Sequence, residues 1–178
     1  MPLAPIPVSV LVVGAVLLLM LVELQLSAHN EKVLRAQGAV EPPDDVYGRM
    51  RIVYPLAFVT MGVVAALGKP LSRETTLLGL ILFGWAKALK FWAIANLGTR
   101  WTFRVLVPPR STLVTTGPYK FLRHPNYVAV IGEITAIMVA LQAWMPGIVA
   151  TAVFVSLIQQ RIKVEERALA GHTTAHPK

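Results

Sequence analysis

Residues 125–160 read PNYVAVIGEITAIMVALQAWMPGIVATAVFVSLIQQ, and Glu133 is the only charged side chain among them. A helix crosses a hydrocarbon core of about 30 Å in roughly 20 residues, so this run is too long for one crossing. Its middle, Trp144-Met145-Pro146-Gly147, is a helix breaker. The stretch therefore predicts a tight helical hairpin. Toward the N-terminus, Thr75 opens another apolar run, in which Lys87 and Lys90 interrupt a helical pattern that continues through Phe91 and Trp92 to Leu97. Ile52 to Gly68 is uncharged, and so is Met1 to Val22. The run from Met1 to Val22 lacks the basic start of a signal peptide and reads as a retained span. About five transmembrane helices result, at roughly 5–26, 52–68, 75–97, 126–143 and 147–164, the last two forming the hairpin. A single all-α integral membrane domain accounts for residues 1–178.

Composition agrees with a bilayer as solvent. The chain is 55% hydrophobic and only 15% charged, a ratio foreign to a soluble globule of 178 residues. A formal charge of +8 would suggest nucleic acid in a soluble protein. In an apolar chain it points to loops facing anionic lipid, with no nucleic-acid partner. The absence of Cys excludes disulfides and thiolate nucleophiles, and His29, His124, His172 and His176 are too scattered to give a metal-ligand spacing.

Between the spans, Lys and Arg divide unevenly. Thirteen fall in the segments 27–51, 98–124 and beyond 160, against two in 68–74, with Lys87 and Lys90 inside the third span. The positive-inside rule then places the N-terminus outside and the C-terminus in the cytoplasm.

The segment 98–124 carries Arg100, Arg104, Arg110, Lys120 and Arg123 and no acid. It ends in Gly117-Pro118-Tyr119-Lys120-Phe121-Leu122-Arg123-His124-Pro125-Asn126-Tyr127, which leads directly into a span. Pro125 suits a first helical turn, where no donor is needed, so the free donors of that turn, Arg123 and His124 converge at the membrane surface. That geometry suits an anion, although a basic loop held against headgroups has the same composition. After the last span, Glu165-Glu166 lies among Arg161, Lys163 and Arg167, either near that corner or as solvated acids.

The Gly-Pro-Tyr of 117–119, the Arg-His-Pro-Asn-Tyr of 123–127 and the Glu165-Glu166 pair resemble the C-terminal half of the isoprenylcysteine carboxyl methyltransferase family. Upstream, Glu23-Leu24-Gln25-Leu26-Ser27, Asn30-Glu31, Gly38-Ala39-Val40-Glu41, Phe91-Trp92-Ala93-Ile94 and Gly98-Thr99-Arg100-Trp101-Thr102 resemble one subgroup. That subgroup comprises the bacterial membrane enzymes that O-methylate alkylresorcinol and alkylpyrone polyketide lipids. The resemblance implies S-adenosyl-L-methionine as cofactor, bound at a cytoplasmic site by Gly117, Pro118, Tyr119, Arg123, His124, Pro125, Tyr127, Glu165 and Glu166. Arg123 and His124 would take its carboxylate, and Glu165 or Glu166 its ammonium. Arg123 and Glu166, with Glu133, are the candidate catalytic residues. It also implies a lipophilic acceptor drawn from the bilayer and a bacterial inner membrane as location. The acidic, tyrosine-containing tail of eukaryotic prenylcysteine enzymes is missing after Glu166.

An acid inside a span is a functional candidate by default. Glu133 is either a base or acceptor contact for a phenol, or an internal partner of Lys87 or Lys90. Competing functions are prenylcysteine carboxyl methylation, phospholipid N-methylation, a steroid-reductase-type reductase, and a small scaffold or channel. The Trp residues at 85, 92, 101 and 144 read as interfacial belt and packing residues.

Overall fold

The computed structural model describes residues 7–109 and 114–174, with side chains as far as Ala168. Arg110, His176 and the first two residues of the span expected at 5–26 lie outside the described residues, as does the side chain of His172. Among the described residues five helices follow in order: α1 (Val8–Ala36), α2 (Tyr47–Leu67), α3 (Arg73–Leu97), α4 (Pro125–Leu141) and α5 (Trp144–Thr174). Two short 3-10 turns, Gly98–Arg100 and Gly117–Lys120, punctuate the segment between α3 and α4. Among the described residues the sole β pairing is an isolated bridge between Val40 and Val107.

Among the described residues, four helices are long and apolar enough to cross a membrane, and α4 is a shorter apolar helix of 17 residues. The protein is an all-α, multi-pass membrane protein. Its outer surface shows Leu18, Leu21, Val22, Leu77, Ile81, Ile148 and Val149, a continuous apolar coat that water would not tolerate. Inside, Val12, Val13 and Val16 of α1 pack with Phe58 and Met61 of α2, Ile134 and Ile137 of α4 and Phe154 and Leu157 of α5.

Helix ends are set by capping, not by where charge appears. α1 runs ten residues past its expected end, through Glu31 and Lys32, and stops where Gly38 takes φ +83°. There Gly38 N bonds Arg35 O and Ala39 N bonds Leu34 O, closing a left-handed C-terminal cap. The hairpin break also comes earlier than Trp144-Met145-Pro146-Gly147 suggests. Gln142 adopts φ 51°, and Gln142 N and Ala143 N bond Val139 O and Met138 O, so the turn is complete before Trp144. Pro146 then falls in the first turn of α5, where its missing donor costs nothing. At the start of α3, Ser72 accepts from Thr75 N and caps the helix.

Gln142 Nε2 donates to Ser72 O at 3.2 Å, which places the hairpin tip and the α2–α3 turn at one end of the bundle. At the other end the basic segments meet. Val105 N bonds Asp45 Oδ2 at 2.8 Å, Phe103 N bonds Ser27 Oγ at 2.8 Å, and Arg104 pairs with Glu41 at 2.6 Å. The alternation of segments read from the sequence is thus realised in three dimensions.

Helices α3 and α4 pack tightly at Gly79, where an added Cβ would lie 2.2 Å from Ala140 N. Backbone cannot yield as a side chain can. Gly79→Val is expected to lower stability by about 1–3 kcal/mol or more, as overpacking does. A thermal melt in detergent that matches the wild type would show that the two helices can separate freely.

Candidate functional site

At the basic end, a cavity of about 850 Å³ lies among α1, α2, the segment after α3, and the facing ends of α4 and α5. Its wall changes character with depth. Arg100, Arg104, Arg123, His124, Asn126 and Glu165 line the polar end; Leu17, Leu21, Ile52 and Pro55 line an apolar side formed by α1 and α2.

The polar end is built by the turn before α4. Gly117 takes φ +57°, and any Cβ there would sit 2.4 Å from the Asn96 side chain, so glycine is required twice over. Pro118 is buried, and Tyr119 reaches the cavity. Burial, and second the Glu165 carboxylate, push the Tyr119 hydroxyl above the usual phenol range, so it stays protonated. His124 occupies the N-cap position, Pro125 the first turn, and the His124 ring stacks on Tyr127 at 5.4 Å between centroids.

Tyr127 donates to Glu165 Oε1 and accepts from Arg161 Nε at 2.8 Å. Arg161, 5% exposed, also lies 3.4 Å from both Glu165 and Asp45. His124 Nδ1 is 3.7 Å from Glu165 Oε2. Arg123 is exposed at the cavity wall, with no ion-pair partner among the described residues. Over the site, Glu41 bridges Arg35 and Arg104; burial works to raise its carboxyl, but hydrogen bonds from both arginines hold it below the ordinary range.

Of the residues singled out in the sequence, Tyr119, Arg123, His124, Tyr127 and Glu165 come together on the cavity wall. Gly117, Pro118 and Pro125 shape the turn without lining the cavity. Glu166 does not join them: it is exposed and absent from the wall. Adjacent residues on a helix point about 100° apart, so one of a Glu-Glu pair must turn away. The inward row of α5 runs Leu157, Ile158, Arg161, Val164, and Glu165 extends it.

Glu133 is likewise not on the wall. It is fully buried against Lys87 Nζ at 3.2 Å and Lys90 Nζ at 3.4 Å, and it accepts the Tyr54 hydroxyl. The internal-partner contacts are made, and with both lysines. Glu23 completes the cluster, accepting from Lys87 at 2.6 Å and Lys90 at 2.7 Å. Two acids and two ammonium groups thus balance inside the bundle, which a low-dielectric interior demands. Sequence reasoning quoted Glu23 within a motif without giving it a role, and it missed Tyr54 altogether. Two intramembrane lysines facing one acid were the available signal for a second acid; Tyr54 had none. Trp101 also departs from a belt role: it is buried, and its Nε1 donates to Asn126 at 3.2 Å, holding a wall residue.

Fold and site together define a multi-pass membrane protein whose polar surface site opens into an apolar cavity. The chain belongs to the isoprenylcysteine carboxyl methyltransferase family, whose profile matches residues 77–171, from α3 through the Arg123–Tyr127 corner to Glu165 and beyond. It is 30% identical over 153 residues to the uncharacterized protein YpbQ of Bacillus subtilis (strain 168), covering 85% of this chain and 90% of that protein. To an uncharacterized protein of Haemophilus influenzae (strain ATCC 51907 / DSM 11121 / KW20 / Rd) it is 28% identical over 153 residues, covering 83% and 86%. No solved structure matches. Family membership supports a membrane methyltransferase.

Proposed function

We propose that this protein is an S-adenosylmethionine-dependent O-methyltransferase for a long-chain lipid of the alkylresorcinol or alkylpyrone type, with its polar end in the cytoplasm of a bacterial inner membrane. The observation that carries the reading is the continuity of the cavity, polar at one end and apolar along α1 and α2. Its volume lies in the upper part of the range of ligand sites, roughly 300–1,000 Å³, with room for a polar donor beside an acceptor's head. Bound there, S-adenosylmethionine supplies an electrophilic methyl group on a sulfonium. The donor set fits such a zwitterion: Arg123, with no ion-pair partner among the described residues, offers a cation for a carboxylate, Glu165 an anion for an ammonium, and Tyr119 and His124 ring surface for a base. The lipid portion of the acceptor lies against Leu17, Leu21, Ile52 and Pro55, and the bilayer is the reservoir. Alignment of the two substrates in one enclosure contributes much of the rate. The upstream motifs favour the polyketide lipid. A prenylcysteine carboxylate is the second reading, favoured by Arg100 and Arg104 on the wall and by the family's namesake reaction.

Radiolabelled S-adenosylmethionine should bind the purified protein, and label should pass to a long-chain alkylresorcinol in preference to a farnesylcysteine analogue. Preference for the farnesylcysteine analogue would exchange the first reading for the second. Absence of binding would remove both.

The donor site is tested separately. Arg123→Ala and Glu165→Ala are each expected to weaken S-adenosylmethionine about tenfold to a hundredfold, the value of one charge-assisted hydrogen bond. Glu166→Ala should leave affinity within about twofold, as a surface charge off the wall does. Equal losses at 165 and 166 in equilibrium binding would contradict the assignment.

A further inference from the structure

Two members of the buried ion cluster reach the cavity. Lys90 and Tyr54 line its wall, while Glu23 and Glu133 lie behind them. The two acids are not equivalent. Glu23 has both oxygens engaged at 2.6 and 2.7 Å. Glu133 stands off from the same lysines at 3.2 and 3.4 Å, its Oε2 accepts the Tyr54 hydroxyl, and its Oε1 is fully buried without a hydrogen bond. The Lys90 ammonium stands 3.4 Å from that oxygen without hydrogen-bonding it, so the oxygen keeps free acceptor capacity. Among the described residues, Tyr54 is the side chain that both lines the cavity and hydrogen-bonds Glu133, and its ring is held by Phe58 and Phe154, each at 5.0 Å.

We propose that Tyr54 and Lys90 form the polar subsite for the methyl acceptor, and that they select a neutral aromatic or enolic hydroxyl whose proton passes through Tyr54 to Glu133. This rests on the methyltransferase reading above. The acceptor's O–H bond breaks and its proton goes to the Tyr54 oxygen, while the Tyr54 proton moves to Glu133. The acceptor oxyanion that remains lies beside the Lys90 ammonium. Its electron pair forms the new O–C bond to the methyl as the C–S bond breaks, with that bond's pair left on sulfur. The cluster passes from neutral to one positive charge while the sulfonium's positive charge disappears. The total charge enclosed by the apolar shell therefore stays constant, so the step needs no ion to cross hydrocarbon. After the products leave, Glu133 returns its proton to water by the same route. A carboxylate acceptor arrives ionised and has no use for this relay.

Tyr54→Phe keeps the ring and its packing and removes only the hydroxyl. In the full-length protein in lipid nanodiscs, kcat for a long-chain alkylresorcinol at pH 7 should fall about a hundredfold or more. The loss should shrink as pH rises toward the phenol's own pKa of about 10, where the acceptor ionises unaided. S-adenosylmethionine binding should be unchanged, which also reports that the variant is folded. Glu133→Gln should show the same pH-dependent loss. A Tyr54→Phe defect under about threefold, or one equal at every pH, overturns the relay; the methyltransferase reading survives, because the wild type still methylates. A wild type that methylates only the farnesylcysteine analogue overturns the acceptor class proposed here. A wild type that does not bind S-adenosylmethionine overturns the underlying reading, and the relay with it.

Discussion

Glu23→Ala is expected to cost about 3–5 kcal/mol of stability, the penalty for stranding buried charge. Glu23 accepts from Lys87 and Lys90 at 2.6 and 2.7 Å, and it ties α1 to α3. Without it, two buried ammonium groups face one carboxylate that stands more than 3 Å from each. Water cannot reach them cheaply, since Lys90 is 1% and Glu133 0% exposed. Removing a matched pair should be milder: Glu23→Gln with Lys87→Met leaves one cation and one anion. The double variant is therefore expected to melt above Glu23→Ala, and a double-mutant cycle isolates the coupling. A Glu23→Ala protein that melts with the wild type in detergent would mean that the cluster does not hold the helices together.

Arg161→Met should be comparably severe, about 3–5 kcal/mol, and should also weaken the proposed cofactor site. The guanidinium reaches Tyr127 Oη at 2.8 Å, and Glu165 and Asp45 at 3.4 Å each. Asp45 in turn accepts from Tyr47 N at 3.0 Å and Val105 N at 2.8 Å, so one cation joins α5, α4 and the segments over the cavity. Without it, Asp45 and Glu165 lose their shared counter-charge and the Tyr127–Glu165 contact loses its brace. Calorimetry should show a lowered melting temperature together with weaker S-adenosylmethionine binding. A loss of stability without a loss of affinity would separate Arg161 from the proposed donor site.

The number of helices and their hairpin were legible because apolar runs long enough to span must be buried in lipid, and Pro125–Gln160 exceeds one span. Helix ends were not, because charge limits how much of a helix sits in hydrocarbon and says nothing of where it stops. Gly38 ends α1 well beyond Glu31, and Gln142, an unremarkable residue in sequence, adopts the left-handed turn that ends α4. The corner at 117–127 was readable in order and location since proline and glycine dictate local backbone. Choosing Glu165 over Glu166 needed only the helical phase of Arg161 and Val164, a signal present in the chain. Tyr54 needed tertiary structure, since a tyrosine in a span has many uses.

The ion cluster also constrains how the chain is made. Glu23 emerges from the ribosome 64 residues before Lys87, so its helix meets the membrane with no counter-charge in existence. A lone acid at that depth is disfavoured by about 2.5–3.5 kcal/mol on insertion scales, and each lysine of α3 faces a similar penalty alone. Neither helix is at ease in lipid without the other. The apolar run of α1 outweighs that penalty and holds the helix in the bilayer, so the arrival of α3 beside it is what neutralises Glu23 and joins the two helices.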